Sequence, residues 1–367
     1  MNRALKIDAQ LLYTALLLSF CGIMIFLSAS LGFLTRGISE FTSVALKQVF
    51  LAFIPGIILM FVFAKVPYEY LRKYALYIFG TAIILNVLIF VPHLGVLRGG
   101  ATRWLNLGPL SFQPSEVLKI GAIIYCAAWF SAVKDKVKTW TYGFFPILAI
   151  IGVCGLLCLL QRDTDTFAVI AGSIAMIYFV AGAKWSHMVT VFCIGLVVFA
   201  GVVAYRPYVM ERIKTYLDPS QNALSQSYQI QQSLIAVGSG EIIGRGFGQS
   251  IQKFNFLPVA DGDSIFAVAA EEFGFLGSVF LVGLFMFFVI RIFKLARAID
   301  KPFGSYLLVG IGGYIFIQAF VNIGAMVGLL PLSGIPLPFV SQGGTALLLL
   351  FVEVGILFNI SKYAKLK

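Results

Sequence analysis

Acidic and basic side chains gather at a few points of this chain, where long apolar runs begin or end. The densest group is Phe256-Leu257-Pro258, then Asp261, Gly262 and Asp263, with a helix opening at Ser264-Ile265-Phe266-Ala267. A carboxylate at that place has two readings. It caps the helix and complements its dipole, or it acts as general base toward a hydroxyl nucleophile. Glu271 and Glu272 follow one to two turns deeper; Glu271 lies roughly 80° around the helix from Asp263, and Glu272 on the opposite face. Both are expected to face protein or a polar cavity. A second group holds Arg103 and Trp104, then Glu116 and Lys119, which are three apart and share a helix face. That pair reads as a local ion pair or as part of a site. In the third group, Gln161 to Thr166, Asp163 and Asp165 are hard oxygen ligands for a cation or part of a polar hinge. The run Gly238-Ser239-Gly240 with Gly244-Arg245-Gly246-Phe247-Gly248 offers backbone N–H groups to an anion, or is a flexible turn. Residues 328–344, with Pro331, Gly334, Pro336, Pro338 and Ser341, exclude regular helix.

These groups must be positioned by membrane-spanning helices. The 367 residues are 60% hydrophobic and 12% charged, against about 45–50% and about 25% in ordinary globular chains. Runs of roughly 20 apolar residues recur, the length that crosses a bilayer. A soluble core does not repeat runs of that length, and a β-barrel alternates in segments of about ten. Ten spans are expected, near 11–31, 45–64, 74–92, 114–132, 142–160, 166–183, 187–205, 264–290, 303–325 and 343–360. Met1 to Asp8 reads as a short polar start with no cleavable leader. The five cysteines are odd in number and sit in apolar runs, so they read as small core residues. Net charge is +11, and its sidedness matters more than its size. Arg3, Lys65, Arg72, Lys134, Lys184, Lys301, Lys367 and their neighbours flank one set of short loops, which the positive-inside rule places in the cytoplasm with both termini. The long 206–262 connection before the eighth span is then extracytoplasmic. Its apolar residues Leu224, Tyr228, Ile230, Leu234 and Ile235 predict partial helices on that face. The chain reads as one integral membrane domain, 1–367. No Walker-type phosphate loop is present, and nothing points to nucleic acid.

The polar groups therefore collect at one membrane edge beside lipid. That suits a substrate with an apolar tail and a phosphate-bearing head, since Arg and Lys bind phosphate oxygens.

Taken together, the motifs resemble the SEDS (RodA/FtsW/SpoVE) family over nearly the whole chain. They are Gly100-Ala101-Thr102-Arg103-Trp104, Phe112-Gln113-Pro114-Ser115-Glu116, Gln229 with Gln232-Ser233, Asp263-Ser264-Ile265-Phe266-Ala267 with Glu271-Glu272, Asn322-Ile323-Gly324, and Gly334-Ile335-Pro336-Leu337-Pro338-Phe339 with Gly343-Gly344. Gln252-Lys253 and the Gly-Ile-Pro-Leu-Pro-Phe run look more like the division (FtsW) branch than the elongation (RodA) branch. The sequence departs from the family pattern at Arg162, Asp165, Val259, Gly262 and Gln342.

The resemblance implies a peptidoglycan glycosyltransferase in the bacterial cytoplasmic membrane. It would polymerise lipid II and polyprenyl-linked glycan beside a class B penicillin-binding protein and other divisome or elongasome proteins. It places the essential aspartate on Asp263, expected to act as general base in an inverting displacement. Arg103, Trp104, Glu116, Lys119, Arg245, Lys253 and Ser341 are expected to bind substrate, with Asp163, Asp165 and Glu271 as polar support. A divalent cation, Mg²⁺ or Mn²⁺, is an admitted further neutraliser with unspecified ligands; no organic cofactor is expected. A lipid flippase and a non-catalytic scaffold are the rival readings. A flippase calls for ionisable groups at mid-membrane, and a scaffold does not need Asp263.

Overall fold

The computed structural model describes residues 6–98, 101–107, 110–217 and 226–365. Arg3, Gly100, Leu224 and Lys367, used above, lie outside the described residues. Ten helical rods occupy the expected positions. They are α1 (Ala9–Ser30); α2 (Ile38–Lys47), continued through a π-helical stretch into α3 (Ile54–Phe63); α5 (Ala75–Leu88), preceded by the short α4 (Glu69–Lys73); α6 (Pro114–Val133); α7 (Phe145–Leu160); α8 (Thr164–Val180); α9 (Trp185–Tyr205); α12 (Ile265–Arg297); α13 (Pro302–Met326); and α14 (Gly344–Ser361). Among the described residues, eight rods are long and apolar enough to cross a membrane; α5 and α8 are shorter, at 14 and 17 residues. Along α9, His187 is the buried residue and the rest is mostly apolar, half-buried or exposed. A helix so apolar with so little protein around it needs lipid as its solvent. This is an all-α, multi-pass membrane fold.

The core is the packing of α13 against α12, α8 and α6, with α14 against α3 and α5 against α6. Phe130, Tyr178, Phe288, Phe351 and Phe358 are fully enclosed there. Three features go beyond the expected all-helical pattern. The connection before α6 folds into an antiparallel sheet, β1 (Gly95–Arg98), β2 (Ala101–Leu107) and β3 (Leu110–Phe112), with Val96 opposite Trp104 and Leu105 opposite Phe112. β-favouring residues such as Thr102 and Trp104 carry that tendency. The 206–262 connection holds two helices, α10 (Pro207–Leu217) and α11 (Gln226–Ser239), and α11 packs on α12 and α13. Finally, α12 is broken at Gly274 (φ 65°, ψ −164°). Its first nine residues form a separate buried segment, so the straight rod begins beyond the expected residue 264.

That break is locked by the glycine-rich run. Arg245 N–H donates to Glu271 O (3.0 Å), Gly246 N–H to Glu272 O (2.9 Å), Phe275 N–H to Glu241 O (2.9 Å), and Leu276 N–H to Ile242 O (3.0 Å). A Cβ at Gly244 would sit 2.2 Å from Glu272 O, and one at Gly274 2.3 Å from Gly244 N. Both glycines have positive φ, which side chains rarely adopt. Two of the N–H groups expected for an anion, those of Arg245 and Gly246, are thus spent on the kink.

Candidate active site

The polar groups converge at one end of the bundle, around a cavity of about 490 Å³. Asp263 enters from the turn before α12, Arg103 and Trp104 from β2, Glu116 and Lys119 from the first turns of α6, and Asp163 from the start of α8. The sequence reading missed Lys47 and Gln48, which line it from the end of α2, and Gln318 from α13. The signal for Lys47 was a charge inside an otherwise apolar run, Val44 to Phe53, costly unless it faces a polar space.

Asp263 is partly buried and opens on the cavity. Gln229 Nε2 of α11 donates to its Oδ1 (3.4 Å) and to Ser264 Oγ (2.8 Å). Asn322 Nδ2 holds its carbonyl (2.7 Å) and also Ile335 O (2.8 Å), which ties the turn to α13 and to the 331–343 segment. Desolvation pushes the Asp263 carboxyl up to about 6, opposed by the Gln229 hydrogen bond and helped by the nearby charge of Asp261. Desolvation is the largest influence on this carboxyl, ahead of the hydrogen bonds that favour its charged form. A carboxylate with pKa near 6 is ionised at neutral pH and still basic enough to take a proton.

The cations differ in how free they are. Lys47 is exposed and forms no ion pair among the described residues. Arg103 lies 3.9 Å from Asp163 and donates to Arg162 O. Lys119 is buried, 2.8 Å from Glu116, and contacts Gln318 Oε1 (3.3 Å) and the Tyr314 ring. Asp163 caps α8 by accepting from Thr166 N–H (3.4 Å) and takes the Ser115 hydroxyl (3.4 Å). Pro114 opens α6 while its carbonyl accepts from Asn86 (2.9 Å). The Gln-Pro-Ser-Glu run is thus a helix start that delivers Glu116 to Lys119.

Five expected site residues stand elsewhere. Lys253 has 0% of its side chain exposed; its ammonium donates to Glu272 Oε1 (2.7 Å) and Ser28 Oγ (3.0 Å). Arg245 lies on the far side of the kink, 3.3 Å from Glu271. Glu271 is enclosed, accepting from Ser250 Oγ (2.6 Å), Ile251 N–H (3.0 Å) and Gln252 N–H (3.2 Å). None of the three lines the cavity, because each is committed to an opposite charge at the kink. Asp165 turns away to Arg212 of α10 (2.7 Å) and Gly334 N–H (3.2 Å). Ser341 is buried, donating to Gly262 O (2.6 Å) and accepting from Leu337 N–H (2.7 Å). It staples the proline-rich segment to the Asp263 turn, and Gln342 N–H adds a bond to Asp261 O (2.7 Å).

Asp163 and Asp165 diverge, and among the described residues no three His, Cys, Asp or Glu side chains gather to hold a metal. No step below is routed through a metal.

A family model described as cell cycle protein matches residues 8–366. Stage V sporulation protein E of Bacillus subtilis is 37% identical over 98% of this chain and 98% of its own. A probable peptidoglycan glycosyltransferase FtsW of Nitrosomonas europaea is 35% identical over 99% of this chain and 94% of its own. A solved peptidoglycan synthase complex, described as coordinating polymerization and crosslinking, contains a chain that superposes with TM-score 0.76 at 26% identity, covering 97% of each. With a fold, a motif order and a family model that all run nearly end to end, the chain belongs to the FtsW/RodA/SpoVE family of cell cycle proteins.

Proposed function

We infer that this chain is a peptidoglycan glycosyltransferase that polymerises lipid II, with Asp263 as the general base of an inverting displacement. One observation carries the reading: the Asp263 carboxylate, without an ionic partner among the described residues, faces the same cavity as Lys47, Arg103 and Lys119. The acceptor sugar's 4-hydroxyl gives its proton to the Asp263 carboxylate. The oxygen attacks the anomeric carbon of the lipid-linked donor from the face opposite the pyrophosphate. A C–O bond forms, the bond to the pyrophosphate oxygen breaks, and the polyprenyl pyrophosphate leaves with the electron pair. The α-linked donor becomes a β-1,4 linkage. Lys47 and Arg103 stabilise the leaving charge, typically a large share of catalysis in a site closed to bulk water.

In this reading both termini are cytoplasmic, as the positive-inside rule expects, and the cavity opens on the outer face of a bacterial cytoplasmic membrane, where the lipid-linked sugar is displayed. The relatives named above support a class B penicillin-binding protein as partner, with other division or elongation proteins around it. The test is glycan formation from lipid II by the purified protein with its cognate transpeptidase-blocked partner. Polymer from wild type and none from Asp263→Ala supports the reading. Equal polymer from both, or from wild type and Asp263→Asn, rejects Asp263 as base. A folded, partnered wild type that makes no polymer returns the weight to transport or scaffolding.

A further inference from the structure

Beside the reaction cavity lies a second hollow of about 260 Å³, walled by Phe33, Arg36, Asn255, Asp261 and Gln342. Val259 and Gln342 border both spaces, so the two adjoin across a thin partition. The chemistry above makes no use of this hollow. Asp261 is only 7% exposed, and its Oδ2 has no hydrogen-bond partner. A buried carboxylate oxygen left unmatched is costly and marks a place where another group completes the set. The partition is strained as well: Val259, a β-branched residue, holds φ 48°, a conformation that persists where surrounding structure imposes it.

The charges decide what the hollow takes. Lys253 borders it, but its ammonium is enclosed against Glu272. Arg36 shares its charge with Glu40 at 3.4 Å and lies 5.5 Å from the centre of the Phe33 ring; it acts on Asp261 as a distant charge and forms no ion pair with it among the described residues. The wall thus offers a buried carboxylate without a dedicated cation, which disfavours phosphate and favours a neutral hydrogen-bond donor. Phe33 adds an apolar face, and Asn255 and Gln342 add amides. Hydroxyls, an acetamido N–H and an apolar ring face are the groups of an N-acetylated sugar.

We propose that this hollow is a saccharide subsite for the glycan unit next to the reacting sugar, with Asp261 accepting a hydrogen bond from its amide or hydroxyl. The assignment rests on the polymerase reading and says where a neighbouring sugar sits. The probe is N,N′-diacetylchitobiose, titrated by saturation-transfer NMR against the full-length protein in detergent. Wild type and Asp263→Ala are expected to bind it alike. Asp261→Ala is expected to weaken binding at least about tenfold, the loss of one charged hydrogen bond. Asp261→Asn, which keeps an acceptor oxygen, is expected to stay within about threefold. Phe33→Ala, which leaves Asp261 untouched, should weaken the probe measurably and keeps the test open if Asp261→Ala fails to fold. No binding by wild type, or wild-type binding by both Asp261→Ala and Phe33→Ala, overturns the subsite. Lipid II polymerisation by the same preparations, supplied with the transpeptidase-blocked partner, separates the two readings: a folded, partnered wild type that binds the probe without making polymer removes the polymerase and leaves a sugar site.

Discussion

Two regions of this protein are built from the same stretch of sequence and the same kinds of charge. At the Gly274 kink, Arg245, Lys253, Glu271 and Glu272 are all engaged with one another or with backbone. At the cavity a few residues away, Asp263 and Lys47 are left without an ionic partner among the described residues. Enclosed charges that are fully matched hold a structure in place, and they have nothing left for a substrate. Charges held on a rigid frame with their partners withheld have a field to spend on one. The kink frames the cavity, because the buried Ile265–Ala270 segment that begins at Asp263 is fixed by the interlock below it.

The largest expected effect falls on the unpartnered carboxylate. Asp263→Ala should lower polymerisation turnover by about 10²–10⁴, the usual contribution of a general base, while the protein elutes and melts as wild type. Measuring both on one preparation breaks the comparison if activity survives or if the fold is lost with it. The matched region should behave in the opposite way. Lys253→Ala strands Glu272 in the interior, and breaking one side of a buried pair costs about 3–5 kcal/mol. The expected readout is a large drop in melting temperature or a failure to accumulate in the membrane. Lys253→Met with Glu272→Leu should recover much of that loss, since replacing a whole buried pair with apolar residues is often neutral. No recovery, with wild-type stability in the single variant, sinks the structural assignment.

Lys47 sharpens the contrast inside the cavity. Its charge is exposed and uncommitted, whereas Lys119 is neutralised by Glu116 at 2.8 Å. Lys47→Gln should lower turnover about 10–100-fold, at the low end of removing one stabilising donor, with little change in melting temperature. Lys119→Gln should instead act mainly through the fold, by stranding Glu116. Steady-state kinetics beside thermal melts distinguish the two, and equal profiles for both variants erase the distinction.

Sequence carried the frame further than the partners within it. Apolar run length located the long rods, eight of which among the described residues are long and apolar enough to cross a membrane, because a bilayer imposes its thickness on any helix that crosses it. Prolines and glycines in 328–344 correctly implied irregular backbone at the cavity, where Ile335, Gln342 and Gly343 now stand. Lys253 and Arg245 were read as substrate cations because a charge near a site looks the same whether it is matched or free. What matched them was Glu272 and Glu271, 19 and 26 positions on, brought back by a chain reversal at Gly244 and a break at Gly274. No periodicity announces that break, since α12 reads as one continuous apolar run. The three-stranded sheet was hidden for a different reason: its strands are four, seven and three residues long, too short for alternation to stand out.

The smallest effect tests the same contrast through stability. Asp263 is held above its ordinary pKa, at about 6 against 3.8, because the fold desolvates it without supplying a cation. A carboxyl raised in the folded state favours folding below its unfolded value and loses that contribution as pH rises through about 6. At neutral pH the ionised group therefore opposes the fold. The gap in pKa corresponds to at most ~3 kcal/mol, and the opening onto the cavity reduces it to ~1–2 kcal/mol. Asp263→Asn, which keeps the shape and removes the charge, should melt higher than wild type at pH 7.5, with the difference fading as pH falls toward 4. Catalysis should move the other way, with wild-type turnover rising through pH 6 as the base ionises. A variant that melts lower than wild type at pH 7.5 would mean that Asp263 is matched after all, by a partner such as Gln229, and that the free charge of the cavity lies on the cations alone.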